Sequence, residues 1–191
     1  QTDLLSERAG RRIEIVAVSA RNKSKDRGVD LSRFKWFDDP VDMAENASAD
    51  IFVELIGGSE GTAKDACEAA IAADRHVVTA NKALIAEHGI ALAIAAEKAG
   101  VVLTYEAAVA GGIPIIKALR EGLTGNRIER LQGILNGTCN YILTTMRETG
   151  RSFDDVLSEA QELGYAEADP SFDIDGVDAA HKLAILSSVA F

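Results

Sequence analysis

The sequence predicts an α/β chain, with a doubly wound, mostly parallel sheet first and an α+β part second, both incomplete. Three observations carry this reading. Apolar runs at Ile13 to Ser19, Ile51 to Ile56, Arg75 to Thr79 and Val101 to Tyr105 alternate with helical stretches. Strands that alternate with helices pair in parallel through crossovers. After Ala110-Gly111-Gly112 the rhythm changes to mostly helical segments, which divides the chain into residues 1–110 and 111–191. The junction at residues 106–113 is a place where ligand sites commonly form.

The first two apolar runs read as short buried strands, the second ending at Gly57-Gly58. Asp39-Pro40 sets a capping residue before a proline and opens a helix. Glu60 to Ala73 is alanine-rich and helical, and Asn81 to Lys98 is helical with an expected break near His88-Gly89 and a stop at Gly100. Beyond the junction, Pro114 opens a helix and Arg127 to Leu135 is strand-like. Thr138 to Glu148, Phe153 to Leu163 and Val177 to Val189 are helical.

Composition excludes several classes. Thirty acidic against twenty basic residues give a net charge of −10, which repels nucleic acid and anionic lipid. The one local basic patch runs from Arg21 to Arg27. No apolar run reaches the roughly 18 residues of a membrane span. Cys67 and Cys139 lie far apart without metal spacing, so a reducing, cytoplasmic setting fits best. The start Gln1-Thr2-Asp3-Leu4 and the uncapped apolar stretch from Leu183 to Phe191 both read as cut ends.

An open parallel sheet binds ligands at the carboxyl ends of its strands. Arg21, Lys23, Lys25 and Arg27 follow the first visible strand. If that strand is the second of a nucleotide-binding fold, cations there suit a 2′-phosphate; otherwise they form a solvated loop. Gly57-Gly58 would let a cofactor approach the backbone, although two glycines are a weak signal. No G-x-G-x-x-G occurs in the sequence, and the phosphate loop would lie upstream of Gln1.

Thr79-Ala80-Asn81-Lys82 follows another strand, and its lysine either orients a carbonyl or is an ordinary exposed helix-start residue. Glu106 with the free carbonyls of a small-residue segment suits a hard cation, or else it is a surface residue on a hinge.

The strongest constellation is Gly164 to Lys182, in which five acids crowd twelve residues, Glu167 to Asp178. A calcium loop fails in detail: Asp169 and Asp173 are separated by Pro-Ser-Phe, and no glutamate closes the loop. Asp178 and Lys182 stand four apart on one helix face, as a surface ion pair or as a carboxylate holding a catalytic lysine. An ammonium so held stays protonated and donates to a developing alkoxide. His181 faces elsewhere and reads as structural. No histidine has a serine or cysteine partner for nucleophilic catalysis.

The run from Ala160 through Gly164, Asp169-Pro170, Asp173, Gly176 and Asp178 to Lys182 resembles the signature of homoserine dehydrogenases. Thr79 to Lys82, Tyr105-Glu106-Ala107 with Gly112-Ile113-Pro114, and Leu135 to Tyr141 are similar to further family segments, in the expected order. The resemblance implies a Rossmann-like cofactor domain followed by a catalytic domain. It also implies reduction of aspartate 4-semialdehyde to L-homoserine with NADPH or NADH. It makes Lys182 the proton donor, held by Asp173 and Asp178, with Glu167 on the substrate's amino group. Lys82 then faces nicotinamide and substrate, with Asn81, Gly57, Gly58 and Arg21 toward the cofactor. Glu106 with the carbonyls of Val109, Gly111 and Ile113 is similar to the family's sodium site. A homodimer of the full-length protein is also implied.

Two rivals remain: a related semialdehyde or imine reductase, for which Glu167 has little to do, and a non-catalytic fragment lacking the phosphate loop.

Overall fold

The computed structural model describes residues 2–191, so Gln1, in the segment read as a cut end, lies outside the described residues. The chain forms two compact units, Gln1–Thr79 with Ile90–Thr104, and Ala80–Gly89 with Tyr105–Phe191.

The first unit carries α1 (Thr2–Ala9), β1 (Ala17–Ser19), β2 (Lys35–Phe37), α2 (Pro40–Asn46), β3 (Ile51–Glu54), α3 (Thr62–Ala72), β4 (His76–Thr79) and β5 (Leu103–Thr104). All pairings are parallel, β1 with β2 in one ladder and β3-β4-β5 in another. Asp39 caps α2 as its sequence position requires, its side chain accepting from the Val41 amide at 2.8 Å ahead of Pro40.

Phe52, Val77 and Leu103 lie in register across the three-stranded sheet and are buried. On α3, Ala63, Ala66, Cys67, Ala70 and Ile71 are buried as well, since small residues let a helix approach a sheet closely. Two expectations change here. The first run pairs only from Ala17, and β3 is not buried on both faces. Ile51 and Val53 are more than half exposed because successive side chains point to opposite faces, and among the described residues only one face is covered.

Helix α4 (Lys82–Ala99) runs unbroken through His88 and Gly89. One interior glycine costs only about 1 kcal/mol, and the neighbouring alanines, leucine and isoleucines outweigh it.

The second unit is helical: the first half of α4, then α5 (Glu106–Val109), α6 (Ile115–Lys117), a π-helical turn over Ala118–Gly122, α7 (Gly137–Thr149), α8 (Phe153–Glu162), α9 (Ser171–Ile174) and α10 (Val177–Ala190). Ile142 of α7 packs with Val156, Ala160 and Ala166, all buried. Burying each larger aliphatic side chain there contributes about 1.5–3 kcal/mol. Arg151 ties down the start of α8 through ion pairs to Asp155 at 2.6 Å and to Glu159, which also accepts from the Tyr141 hydroxyl. The strand expected over Arg127 to Leu135 is absent from the described structure. A strand exists only with a ladder partner, and none pairs with this segment among the described residues.

Candidate active site

The site in the second unit grows from the start of α10. Gly176 adopts the left-handed conformation (φ 79°) just before the helix, a position that a side chain would strain. One turn on, Asp178 and Lys182 share a face, and Lys182 Nζ lies 2.7 Å from Asp178 Oδ2. The other carboxylate oxygen, Oδ1, lies 2.7 Å from Lys82 Nζ, at the first turn of α4. Asp178 is 3 % exposed and so balances two ammonium groups at once. Burial pushes its carboxyl upward, but hydrogen bonds from Lys182, Lys82 and Asn136 outweigh burial and hold it at about 2. This is no solvated surface pair.

Lys182 also donates to the backbone carbonyl of Leu135 at 2.8 Å. An ammonium has three N–H donors, so one is left over. Lys182 lines an open cavity of about 610 Å³ together with Asn136, Thr138, Tyr141, Asp173 and Asp178. The cavity wall therefore includes a held cation with a donor to spare.

Asp173 differs from expectation in its contacts. It makes no ion pair with Lys182; its Oδ1 accepts from Asn136 Nδ2 at 2.8 Å, and the same amide donates to Asp178 Oδ2 at 2.9 Å. Sequence reasoning missed Asn136. The available signal was its place before a helix, since its Oδ1 caps α7 by accepting from the Cys139 amide at 2.8 Å.

The remaining acids of the loop separate by position. Glu167, Asp169 and Asp175 are exposed, and Glu167 does not line the cavity. Phe172 lies under Lys82, whose Nζ is 5.2 Å from the ring centroid, and against His181, the centroids 5.7 Å apart. His181 thus packs against an aromatic ring.

Asn81 is buried, and its side chain accepts from the Leu84 amide at 3.1 Å, which fixes the first turn of α4 and with it Lys82. Both Glu106 carboxylate oxygens accept backbone amides, Ile116 at 2.7 Å and Lys117 at 2.9 Å, so this residue caps α6. The Ile113 carbonyl accepts from the Ile115 amide at 2.8 Å. Each of these oxygens keeps a second lone pair, and one carboxylate with carbonyls remains a donor set that fits a hard cation.

In the first unit Gly57 and Gly58, at φ 89° and 85°, follow β3 with open space where a side chain would stand. Arg21 is exposed just after β1. Lys23 lies over Trp36, 5.6 Å from the ring centroid, and Arg27 folds back to donate to the carbonyls of Lys25 and Asn22, each at 2.8 Å. The arrangement suits a dinucleotide, whose backbone approaches glycines and whose phosphate meets cations.

Glu54 was also missed. It is fully buried at the end of β3, accepts from the amides of Ile56 (2.5 Å) and Gly57 (2.9 Å), and accepts from the Thr79 hydroxyl at 2.5 Å. A glutamate within an apolar run was the visible signal.

Glycines after a strand of a parallel sheet in the first unit, and in the second a buried carboxylate that holds two ammonium groups, one of them lining a cavity, are features of the Rossmann-like oxidoreductase class. The chain belongs to the homoserine dehydrogenase family. Residues 2–106 match the profile described as homoserine dehydrogenase, NAD binding domain, and residues 114–191 match that of homoserine dehydrogenase.

The chain is 54% identical to the homoserine dehydrogenase of Pseudomonas aeruginosa over 187 residues, covering 98% of this chain and 42% of that protein. It is 52% identical to that of Neisseria gonorrhoeae, with the same coverage. Among solved structures, a homoserine dehydrogenase from Thiobacillus denitrificans superposes with a TM-score of 0.91 at 56% identity, over 99% of this chain and 43% of that one. A hyperthermophilic archaeal homoserine dehydrogenase in complex with NADPH superposes at 0.76 and 31% identity, over 100% and 54%. The chain thus spans about 42% of the length of the first two relatives.

Proposed function

We propose that the full-length protein carrying this chain is an NADP(H)-preferring homoserine dehydrogenase that interconverts L-aspartate 4-semialdehyde and L-homoserine on the way to threonine, methionine and isoleucine. The observation that carries the reading is the Lys182 ammonium, held by Asp178 and the Leu135 carbonyl and lining the cavity. Bound reduced nicotinamide supplies the hydride to the aldehyde carbon. Negative charge then builds on the aldehyde oxygen, where Lys182 stabilises it and donates the proton that completes the alcohol. Asp178 holds Lys182 in place, Asp173 supports it through Asn136, and Lys82 adds a second positive charge on the opposite carboxylate oxygen. Glu167, exposed and two residues beyond the lining residue Tyr165, takes the substrate's ammonium.

Residues 1–110 serve as the cofactor portion and 111–191 as the catalytic portion. Gly57, Gly58, Asn81, Lys82 and Arg21 form the cofactor side, where Arg21 and the basic loop support the 2′-phosphate of NADPH over NADH. Glu106 with the carbonyls of Val109, Gly111 and Ile113 takes Na+. The full-length protein acts in the cytoplasm as a homodimer. No helix among the described residues is long and apolar enough to cross a membrane. The 191 residues alone neither turn over nor bind NADPH tightly, since the phosphate loop is not among them.

The test is Lys182→Ala in the full-length protein. Loss of one positioned proton donor lowers turnover by about 10²–10⁴-fold, while the dissociation constant for NADPH stays the same. Unchanged turnover of aspartate 4-semialdehyde removes Lys182 from the role.

A further inference from the structure

We infer that Asn136 is a positioning residue for the lysine–carboxylate centre, fixing how Asp178 holds Lys182; this rests on the function proposed above. Asn136 is 9 % exposed, and every polar atom of its side chain is engaged. Oδ1 accepts from the Cys139 amide at 2.8 Å as the cap of α7. That leaves Nδ2 facing the carboxylates, one hydrogen to Asp173 Oδ1 at 2.8 Å and the other to Asp178 Oδ2 at 2.9 Å. The cap therefore sets the amide's orientation, and the orientation places two donors on two acids.

The consequence for Asp178 is geometric. Three donors share two oxygens: Lys82 on Oδ1, with Lys182 and Asn136 both on Oδ2. An ammonium on a four-carbon stem follows wherever the carboxylate turns. The amide is rooted in a helix terminus and does not follow. Asn136 thus holds the plane of the Asp178 carboxylate and, through Oδ2, the place of Lys182 beside the cavity. It also bridges two like charges with a neutral donor, which lowers the cost of keeping both ionised.

Two variants separate this role from capping, because Asn, Asp and Ser cap helices about equally well. Asn136→Asp keeps the cap but replaces the shared donor by a third acid. Protonated, the new acid donates to a neighbour; ionised, it repels both. Burial beside two other acids raises the new carboxyl above its ordinary value of about 3.9, so the variant's turnover relative to the parent falls about tenfold or more as pH rises through that raised value, with little change in NADPH affinity. Asn136→Ser keeps the cap and cannot reach the aspartates. Its turnover falls at every pH, and stability near neutral pH falls in step with the rise of the Asp178 titration, which loss of a cap alone would not move.

A readout independent of turnover is carboxyl ¹³C NMR of selectively labelled aspartate in the full-length protein. The Asp178 resonance should titrate at a higher pH in Asn136→Ser than in the parent. An unmoved Asp178 titration in both variants, or parental turnover and pH profile in both, overturns the inference. An inactive parent, or a fully active Lys182→Ala, overturns the proposed function instead and leaves the Asp178 titration to decide on Asn136.

Discussion

Replacing Asp178 by asparagine tests the electrostatic core of the site. The shape is kept, but three donors that met two carboxylate oxygens, from Lys82, Lys182 and Asn136, then face one amide oxygen and one amide NH₂. The magnitude follows from the carboxyl group. Burial pushes its pKa up, the three donors pull it down more strongly, and it settles at about 2 against an ordinary 3.8. A depression of that size corresponds to roughly 2–3 kcal/mol of stability from the ionised form. The sign follows from linkage: the folded pKa is depressed, so the contribution is fully present above the unfolded pKa and is lost as pH falls through the folded one. Asp178→Asn should therefore cost roughly 2–3 kcal/mol at pH 6 and roughly half of that at pH 3. Urea denaturation of parent and variant at both pH values isolates this group, because the other acids cancel in the difference. A cost that stays constant between pH 6 and pH 3 would refute the assignment of Asp178 as an ionised anchor.

Arg21→Asp should raise the Michaelis constant for NADPH about tenfold or more while changing that for NADH little, since an acid repels the 2′-phosphate and accepts from the ribose hydroxyl; initial rates with both cofactors decide, and equal effects remove Arg21 from the phosphate site. Glu54→Ala removes the buried carboxylate to which the Ile56 and Gly57 amides and the Thr79 hydroxyl donate, at about 1–3 kcal/mol for each of the two amides if left unsatisfied. Thermal unfolding should drop by several degrees, whereas Glu54→Gln, which keeps an oxygen for the two amides and offers a donor to Thr79, should lose less. Equal loss in the two variants would show that the turn does not depend on that acceptor.

What was legible in the sequence depended on how local the cause was. Asp39-Pro40 announced α2 because a cap acts within three residues, and the Asp178–Lys182 pair was visible because a helix brings positions four apart together. The parallel character followed from alternation alone. Nonlocal causes stayed hidden. The segment from Arg127 to Leu135 has the composition of a strand, yet a strand is a property of a pair. Leu135 instead supplies a carbonyl to Lys182, forty-seven positions away. Asp173 was assigned to Lys182 by the family resemblance. It turns to Asn136 because α9, four residues long and unforeseen, carries it there.

The pairing of Lys82 with Lys182 shows why one buried acid serves two cations better than two separate pairs would. A buried carboxylate without a partner costs several kcal/mol, and a single ammonium would share its charge between the anion and any incoming oxygen. With Lys82 on Oδ1 and Asn136 on Oδ2, Asp178 stays ionised even as Lys182 shifts part of its interaction to a ligand oxygen. The proton donor can then loosen from its anchor without leaving a bare buried charge behind. Lys82 stands at the start of α4, where Asn81 caps the first turn, so its stem is set by backbone geometry. The aspartate, the neutral amide and the second lysine together hold Lys182, the ammonium of the centre that lines the cavity, with a donor to give away.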